Sequence, residues 1–407
     1  MTNLLWPGDH RAGEHMTDEA LLRSMVAMES AWLGALAASG LAPAGCADAD
    51  LSRLVGADDR EALALTAEDG GNPVVGLVEL LRRRSAPTVA PWIHRGLTSQ
   101  DVLDTALMLG VRTAADTVTA QLAQQVSALS ELARAHRDTP MVARTLTQPA
   151  APTTFGAKAA GWLNGVLDAC ERLGALATPI QLGGAVGTRS AAIELATLTG
   201  ATDPVAVSDR LVLDTATALG LDARPPWHTT RTPVTAAADA LVGCTDCWGR
   251  IASDVVTLGR PEVGELSEPA TGRRGGSSSM PHKRNPVLSI LIRRAAIAAP
   301  PSAATLHTAA ALADDERPDG SWHAEWDTLR TLARRTVVAG SQCAELLAGL
   351  QVHPARMAEN LGAADVLGEQ RAIAELVGKP ASPTYLGAVG RLIDEAVARA
   401  ERVLDRR

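Results

Sequence analysis

Apolar residues recur at helical spacing along most of the chain, and almost nowhere do they alternate with polar ones. The clearest run begins after Thr17. Acids Asp18 and Glu19 come next, Leu21, Met25, Met28 and Trp32 fall on one stripe, and Gly40 ends it. A threonine cap, acids at the positive end of the dipole, an apolar face and a terminal glycine are four separate signals for one helix. A second run opens at Ser99, carries Asp101 and Asp104 in its first turns, and continues to Arg137 before Asp138-Thr139-Pro140 stops it. At 1.5 Å per residue, roughly 38 residues make a helix about 57 Å long.

Further long helices are predicted over about 152–175, 232–259, 286–316 and 322–350. Between them lie Gly/Pro-bearing loops such as Gln181-Leu182-Gly183-Gly184 and Ala223-Arg224-Pro225-Pro226-Trp227. The stretch from about Val352 to Arg407 reads as a small helical appendage, and no internal repeat is visible. One Tyr and one Phe in 407 residues, with abundant Ala and Leu, leave little for strands to select.

The expected fold is therefore all-α, in three helical domains: 1–97, a central long-helix bundle over 98–351, and a short C-terminal domain over 352–407. The long helices are apolar on more than one face, so other subunits are expected to cover what one chain leaves open.

Composition narrows the partner. The formal charge is −8, and the basic residues are spread out rather than clustered, so neither a nucleic-acid footprint nor an anionic-membrane patch is present. No apolar run near the roughly 20 residues of a membrane span is evident, and the first ten residues lack a basic segment followed by an apolar one. A cytoplasmic protein with a small-molecule partner is the expectation. The five cysteines, at 46, 170, 244, 247 and 343, form no disulfide framework. Cys244-x-x-Cys247 has no second cysteine pair or spaced histidines to complete a zinc site, so it reads as two small residues one helical turn apart.

Three segments are more polar than plain turns need. Gly275-Gly276-Ser277-Ser278-Ser279-Met280-Pro281-His282-Lys283-Arg284-Asn285 joins a mobile backbone to hydroxyls and positive charge, within a polar stretch over 262–286. Asn285-Pro286 then reads as N-cap and first residue of the next helix, whose free N–H groups favour an anion. His94-Arg95-Gly96-Leu97-Thr98-Ser99-Gln100-Asp101 puts two hydroxyls at the mouth of the long helix, either as caps or as carboxylate ligands. Arg144-Thr145-Leu146-Thr147-Gln148-Pro149, running on to Gly156, is compatible on its own with the ordinary start of a helix.

In this order and spacing the three segments resemble the signature regions of the fumarase/aspartase superfamily, and Gly276-Ser277-x-x-Met280-x-x-Lys283-x-Asn285 is the most specific part. Within it the chain is most similar to 3-carboxy-cis,cis-muconate cycloisomerases. That likeness rests on Gly71-Asn72-Pro73, Pro226-Trp227-His228-Thr229, Asn285-Pro286-Val287-Leu288-Ser289 with Arg293-Arg294, and Glu316-Arg317 followed by Trp322-His323-Ala324-Glu325-Trp326. The resemblance implies a homotetramer around a central helical bundle, with each active site shared between three subunits.

It also implies Ser277 as the acid–base group on carbon, with Ser278 and His282 as further catalytic candidates. His94, Thr98, Ser99, Thr147, Gln148, Lys283 and Asn285 would hold a di- or tricarboxylate. No metal and no cofactor are implied, and nucleotide or flavin loops are missing. His228 is a further titratable candidate.

Adenylosuccinate lyases carry a general-acid histidine at the position of Leu146, its carboxylate partner at Ile290 and another histidine at about Asn72, none of which is present. An amine generally needs a proton as it leaves, whereas a carboxylate attacks or departs as a stable anion. The expected reaction is therefore cycloisomerisation of a 3-carboxymuconate in aromatic-acid breakdown. Elimination of a weakly basic group such as nitrite from a nitrosuccinate, or an adenylosuccinate-lyase-like reaction, are the alternatives.

Overall fold

The computed structural model describes residues 3–269, 272, 274–280 and 282–405. Met1 and Thr2 of the opening stretch and Pro281 of the Gly/Ser segment lie outside the described residues. Among the described residues thirteen α-helices dominate: α1 (Asp18–Ala38), α2 (Asp59–Gly70), α3 (Pro73–Arg84), α4 (Ser99–Ala135), α5 (Phe155–Gly174), α6 (Ser190–Leu198), α7 (Pro204–Leu219), α8 (Thr232–Leu258), α9 (Val287–Ala311), α10 (Gly320–Ala348), α11 (Pro354–Gly362), α12 (Gly368–Val377) and α13 (Val389–Asp405). Four strands among the described residues form two small antiparallel pairs: β1 (Pro140–Thr145) with β2 (Gln148–Thr154), and β3 (Leu266–Ser267) with β4 (Gln351–Val352).

Two compact units share these elements. One comprises Met1–Asp116, Leu176–Asp239 and Pro301–Arg335; the other comprises Thr117–Ala175, Ala240–Pro300 and Thr336–Arg407.

In the first unit, Thr17 caps α1 by accepting from Ala20 N at 3.2 Å, and Gly40 beyond its end takes φ 74°. The stripe read from the sequence is the buried face: Met25, Met28 and Trp32 pack with Leu77 and Leu81 of α3 and with Val102 at the start of α4. Burying each such side chain stabilises the fold by about 1.5–3 kcal/mol. Trp32 also donates its indole N–H to Arg95 O at 2.8 Å, fixing the segment that leads into α4.

In the second unit α5 packs against α13, and α11 against β1. Several buried polar groups are paired across helices. Trp162 Nε1 donates to Asp254 at 2.7 Å, and Trp248 Nε1 to Gln125 Oε1 at 2.6 Å, while Gln125 Nε2 reaches Gly340 O at 3.0 Å. Cys244 is buried, and burial pushes its thiol up to about 12; Cys247 Sγ lies against Cys244 O, one turn back.

The segment 140–154 corrects the reading of a helix start. It is a hairpin whose two-residue turn, Leu146-Thr147, takes φ 49° and 73°. Positive φ at both central residues is the primed-turn geometry that matches strand twist, and Asn-Gly is its usual sequence. Leu-Thr hides it. The helix itself starts later, at Phe155, capped by Thr154 through Ala157 N at 3.2 Å.

Among the described residues, α9 alone is long and apolar enough by length and composition to cross a membrane, a property that core helices of soluble proteins share.

Candidate active site

The mouth of α4 is built around one carboxylate. Asp101, fully buried, accepts from Thr98 N (3.0 Å), Gly183 N (2.8 Å), Gly184 N (2.9 Å) and Gln181 Nε2 (3.0 Å). A first-turn acid was expected to complement the helix dipole; here it also ties the Gln181–Gly184 loop to the helix end. Thr98 gives its backbone N–H to this construction and Ser99 opens α4, while their hydroxyls have no partner among the described residues. His228, the titratable candidate from the sequence, is only 4% exposed, and its Nε2 faces Gln181 Nε2 at 3.0 Å and Asp101 at 3.3 Å. It is one of the polar groups of this buried node, and its backbone O also accepts from Gln100 Nε2 at 2.9 Å.

One turn further along α4, Asp104 meets Arg231 through two bonds of 2.7 and 3.0 Å, and Arg231 also holds Glu325 through three bonds from Nε and Nη2, the shortest 2.5 Å. Trp322 Nε1 (2.9 Å) and Gln100 Nε2 (3.1 Å) complete the Asp104 carboxylate. Two carboxylates thus share one guanidinium, all buried. Burial alone opposes the Arg231 charge, but the two carboxylates outweigh it and hold its pKa above the ordinary value; burial pushes Glu325 up, against the pull of Arg231.

Just before this helix, His94 takes the left-handed conformation, φ 60°. Its backbone N–H and its Nδ1 both go to Glu29 of α1, at 3.0 and 2.6 Å.

In the second unit, Thr147 and Gln148 occupy the exposed hairpin tip, joined by a 3.2 Å bond between their side chains. The hairpin is anchored by Arg144, whose guanidinium takes Glu265 at 2.7 and 3.0 Å. Glu265, fully buried, also accepts from Asn360 Nδ2 of α11 at 2.7 Å. Sequence reading missed this acid because both partners are far along the chain.

The Gly/Ser segment closes on itself. Asn285 N and Nδ2 both donate to Gly275 O, at 2.8 and 3.1 Å, and Gly276 bridges Arg284. Within the ring, Ser277 Oγ accepts from Met280 N at 3.1 Å and Ser279 N at 3.4 Å. Backbone donors aimed at this oxygen stabilise negative charge on it. Ser278, His282 and Lys283 are exposed on the same loop. A cavity of about 400 Å³ beside it is lined by Ser267, Glu268, Arg274, Arg284 and Asn285.

Asn285 is therefore not the cap of α9, as its sequence position suggested. Its side chain is spent on the loop, and the helix begins at Val287. Nor are the first N–H groups of α9 open to a ligand. Glu268, twenty residues upstream, accepts from Leu288 N at 3.0 Å and Ser289 N at 2.7 Å.

Gly275 sits at φ 78°, where an added Cβ would lie 2.5 Å from Asn285 O. Gly275→Ala is accordingly expected to open the ring and lower turnover at least tenfold, with the helical circular-dichroism signal unchanged. Full activity in that variant would show that the ring's closure is irrelevant to catalysis.

The three positions at which related lyases keep acid–base partners are differently employed. Asn72 caps α3 through Val74 N at 3.0 Å, Leu146 is 95% exposed at the hairpin tip, and Ile290 lies exposed in the first turn of α9. Among the described residues, no group of three or more His, Cys, Asp or Glu side chains is placed to hold a metal ion.

A family model described as Lyase matches residues 46–299, more than half of the chain. A nitrosuccinate lyase from Streptomyces davaonensis is 45% identical over 95% of this chain and 79% of its own length. A 3-carboxy-cis,cis-muconate cycloisomerase from Bradyrhizobium diazoefficiens is 39% identical over 89% of this chain and 80% of its own. The crystal structure of 3-carboxy-cis,cis-muconate lactonizing enzyme from Pseudomonas putida superposes with a TM-score of 0.82, at 30% identity, covering 97% of both chains. With the signature loop, the long helices and these likenesses together, the chain belongs to the lyase family of the fumarase/aspartase superfamily.

Proposed function

We propose that the protein eliminates a weakly basic anion from a substituted succinate, with a nitrosuccinate as the substrate class and fumarate and nitrite as products. Ser277 takes a proton from the carbon beside one carboxylate; the C–H electrons become the new double bond, and the C–N bond breaks with its pair leaving on nitrite. The observation that carries this reading is the hairpin tip. Leu146, Thr147 and Gln148 present hydrocarbon, hydroxyl and amide, none of which protonates a departing amine at neutral pH. Nitrite leaves without a proton.

The aci-carboxylate formed on the way needs donors and positive charge. Lys283, Asn285 and the unpartnered hydroxyls of Thr98 and Ser99 are groups of the right kind, with His94, Thr147 and Gln148 as further substrate contacts and Ser278 and His282 as further candidates for proton transfer. The sites are proposed to be completed between subunits of a homotetramer whose core is the long-helix stretch 98–351. The exposed Ile290 and Ile297 on α9 support that assembly, since a lone chain leaves them in water.

The sequence motifs alone favour cycloisomerisation. The 45% identity to a nitrosuccinate lyase favours elimination, while the 0.82 superposition on a lactonizing enzyme keeps the carboxylate-addition reaction as the second reading. Incubation with nitrosuccinate is expected to yield fumarate and nitrite in equal amounts. If neither forms, and the protein instead bleaches the ultraviolet absorbance of 3-carboxy-cis,cis-muconate, the second reading replaces the first.

A further inference from the structure

A carboxylate buried in an apolar core is costly unless it is hydrogen-bonded, and α1 carries one on its core face. Glu29 is 1% exposed and sits among Met25, Met28 and Trp32. Its two oxygens do one thing each: Oε2 accepts the backbone N–H of His94 at 3.0 Å, and Oε1 meets His94 Nδ1 at 2.6 Å. The 2.6 Å contact needs one proton between the two atoms, and with Glu29 as a carboxylate, which only accepts, that proton sits on Nδ1. His94 is also held at φ 60°, a conformation uncommon for residues other than glycine, which shows that its placement is over-determined by the surroundings. The ring remains 17% exposed, its Nε2 has no partner among the described residues, and Thr98 and Ser99 follow within five positions.

We infer that Glu29 is a positioning residue for the reaction: it fixes His94 in the Nδ1–H tautomer, so that Nε2 alone faces the substrate. The inference rests on the reading of His94 as a substrate contact. In the neutral ring Nε2 is then an acceptor, and any proton the ring exchanges with a ligand passes through that atom. Glu29→Gln keeps the shape but supplies an amide whose NH2 donates to Nδ1, which moves the ring proton to Nε2.

Two measurements test it separately. Nitrogen-15 spectra of the imidazoles, with His94 assigned by its disappearance in His94→Gln, are expected to show an Nδ1–H ring in the natural protein and an Nε2–H ring in Glu29→Gln. An Nε2–H ring in the natural protein overturns the proposal even where the variant does not fold, and an unchanged tautomer in Glu29→Gln overturns it too. In kinetics, Glu29→Gln is expected to lower kcat/KM about 10- to 100-fold, and to add nothing in a His94→Ala background. A further loss in that background would assign Glu29 a structural role and overturn the proposal. Full activity of His94→Ala would overturn the reading of His94 as a substrate contact, and with it a role for Glu29 in the reaction, while leaving the tautomer result intact.

Discussion

Ser277→Ala is expected to lower turnover about 10²–10⁴-fold, the range for removing a positioned acid–base group, while KM changes only slightly. The reason lies in how the loop treats this oxygen. A serine hydroxyl is a poor base, yet Met280 N and Ser279 N are already directed at Ser277 Oγ, and Lys283 supplies charge on the same loop. Alanine removes the atom that these donors serve but leaves Lys283 and Asn285, the proposed substrate contacts, in place, so binding and chemistry are expected to separate. Steady-state kinetics with nitrosuccinate provide the check. A variant that keeps a tenth or more of the natural turnover would move the proton transfer to another group, with Ser278 and His282 next in line.

The largest effect on stability is expected at Arg231. Arg231→Met keeps most of the side chain's bulk but leaves Asp104 and Glu325 buried with no cation between them. Breaking a buried ion pair on one side costs about 3–5 kcal/mol, because the remaining charge is uncompensated. Neutralising all three groups together, as Asp104→Asn, Arg231→Met and Glu325→Gln, should cost less than the single change, since no stranded charge remains. The midpoints of urea unfolding decide the matter. A loss below about 1 kcal/mol for Arg231→Met would mean that water reaches the two acids.

The parts of the fold that were legible in the sequence are those whose signals are local. Thr17 caps α1 through Ala20, only three residues along, and the stripe from Leu21 to Trp32 needs only helical periodicity to be seen. The long helix from Ser99 was legible for the same reason, and it ends at Ala135, two residues before the expected Arg137. The hairpin over 140–154 was not, because Leu146 and Thr147 adopt a backbone that neither residue advertises, and its strands contain prolines.

The candidate site divides along the same line. Ser277, Lys283 and Asn285 stand out through a dense motif, and the hydroxyls of Thr98 and Ser99 through their place at a helix mouth. Glu29 does not, since it looks like one polar residue on an apolar stripe until the chain returns 65 residues later with His94. Glu265 and Glu268 are likewise defined by partners that only the folded chain supplies. Asn285 was read as a helix cap because Asn-Pro often is one. A contact ten residues back, with Gly275, decided otherwise.

The carboxylate of Glu268 at the start of α9 has a consequence for ligand selection. A tethered group competes as an internal ligand, and short tethers give effective concentrations on the order of millimolar. Any substrate carboxylate seeking those two N–H groups would have to displace a neighbour that never diffuses away. Under the proposed function, discrimination in favour of dicarboxylates over monocarboxylates would arise elsewhere, and the unpartnered hydroxyls of Thr98 and Ser99 are the proposed contacts at which a second negative charge would meet no such tethered carboxylate.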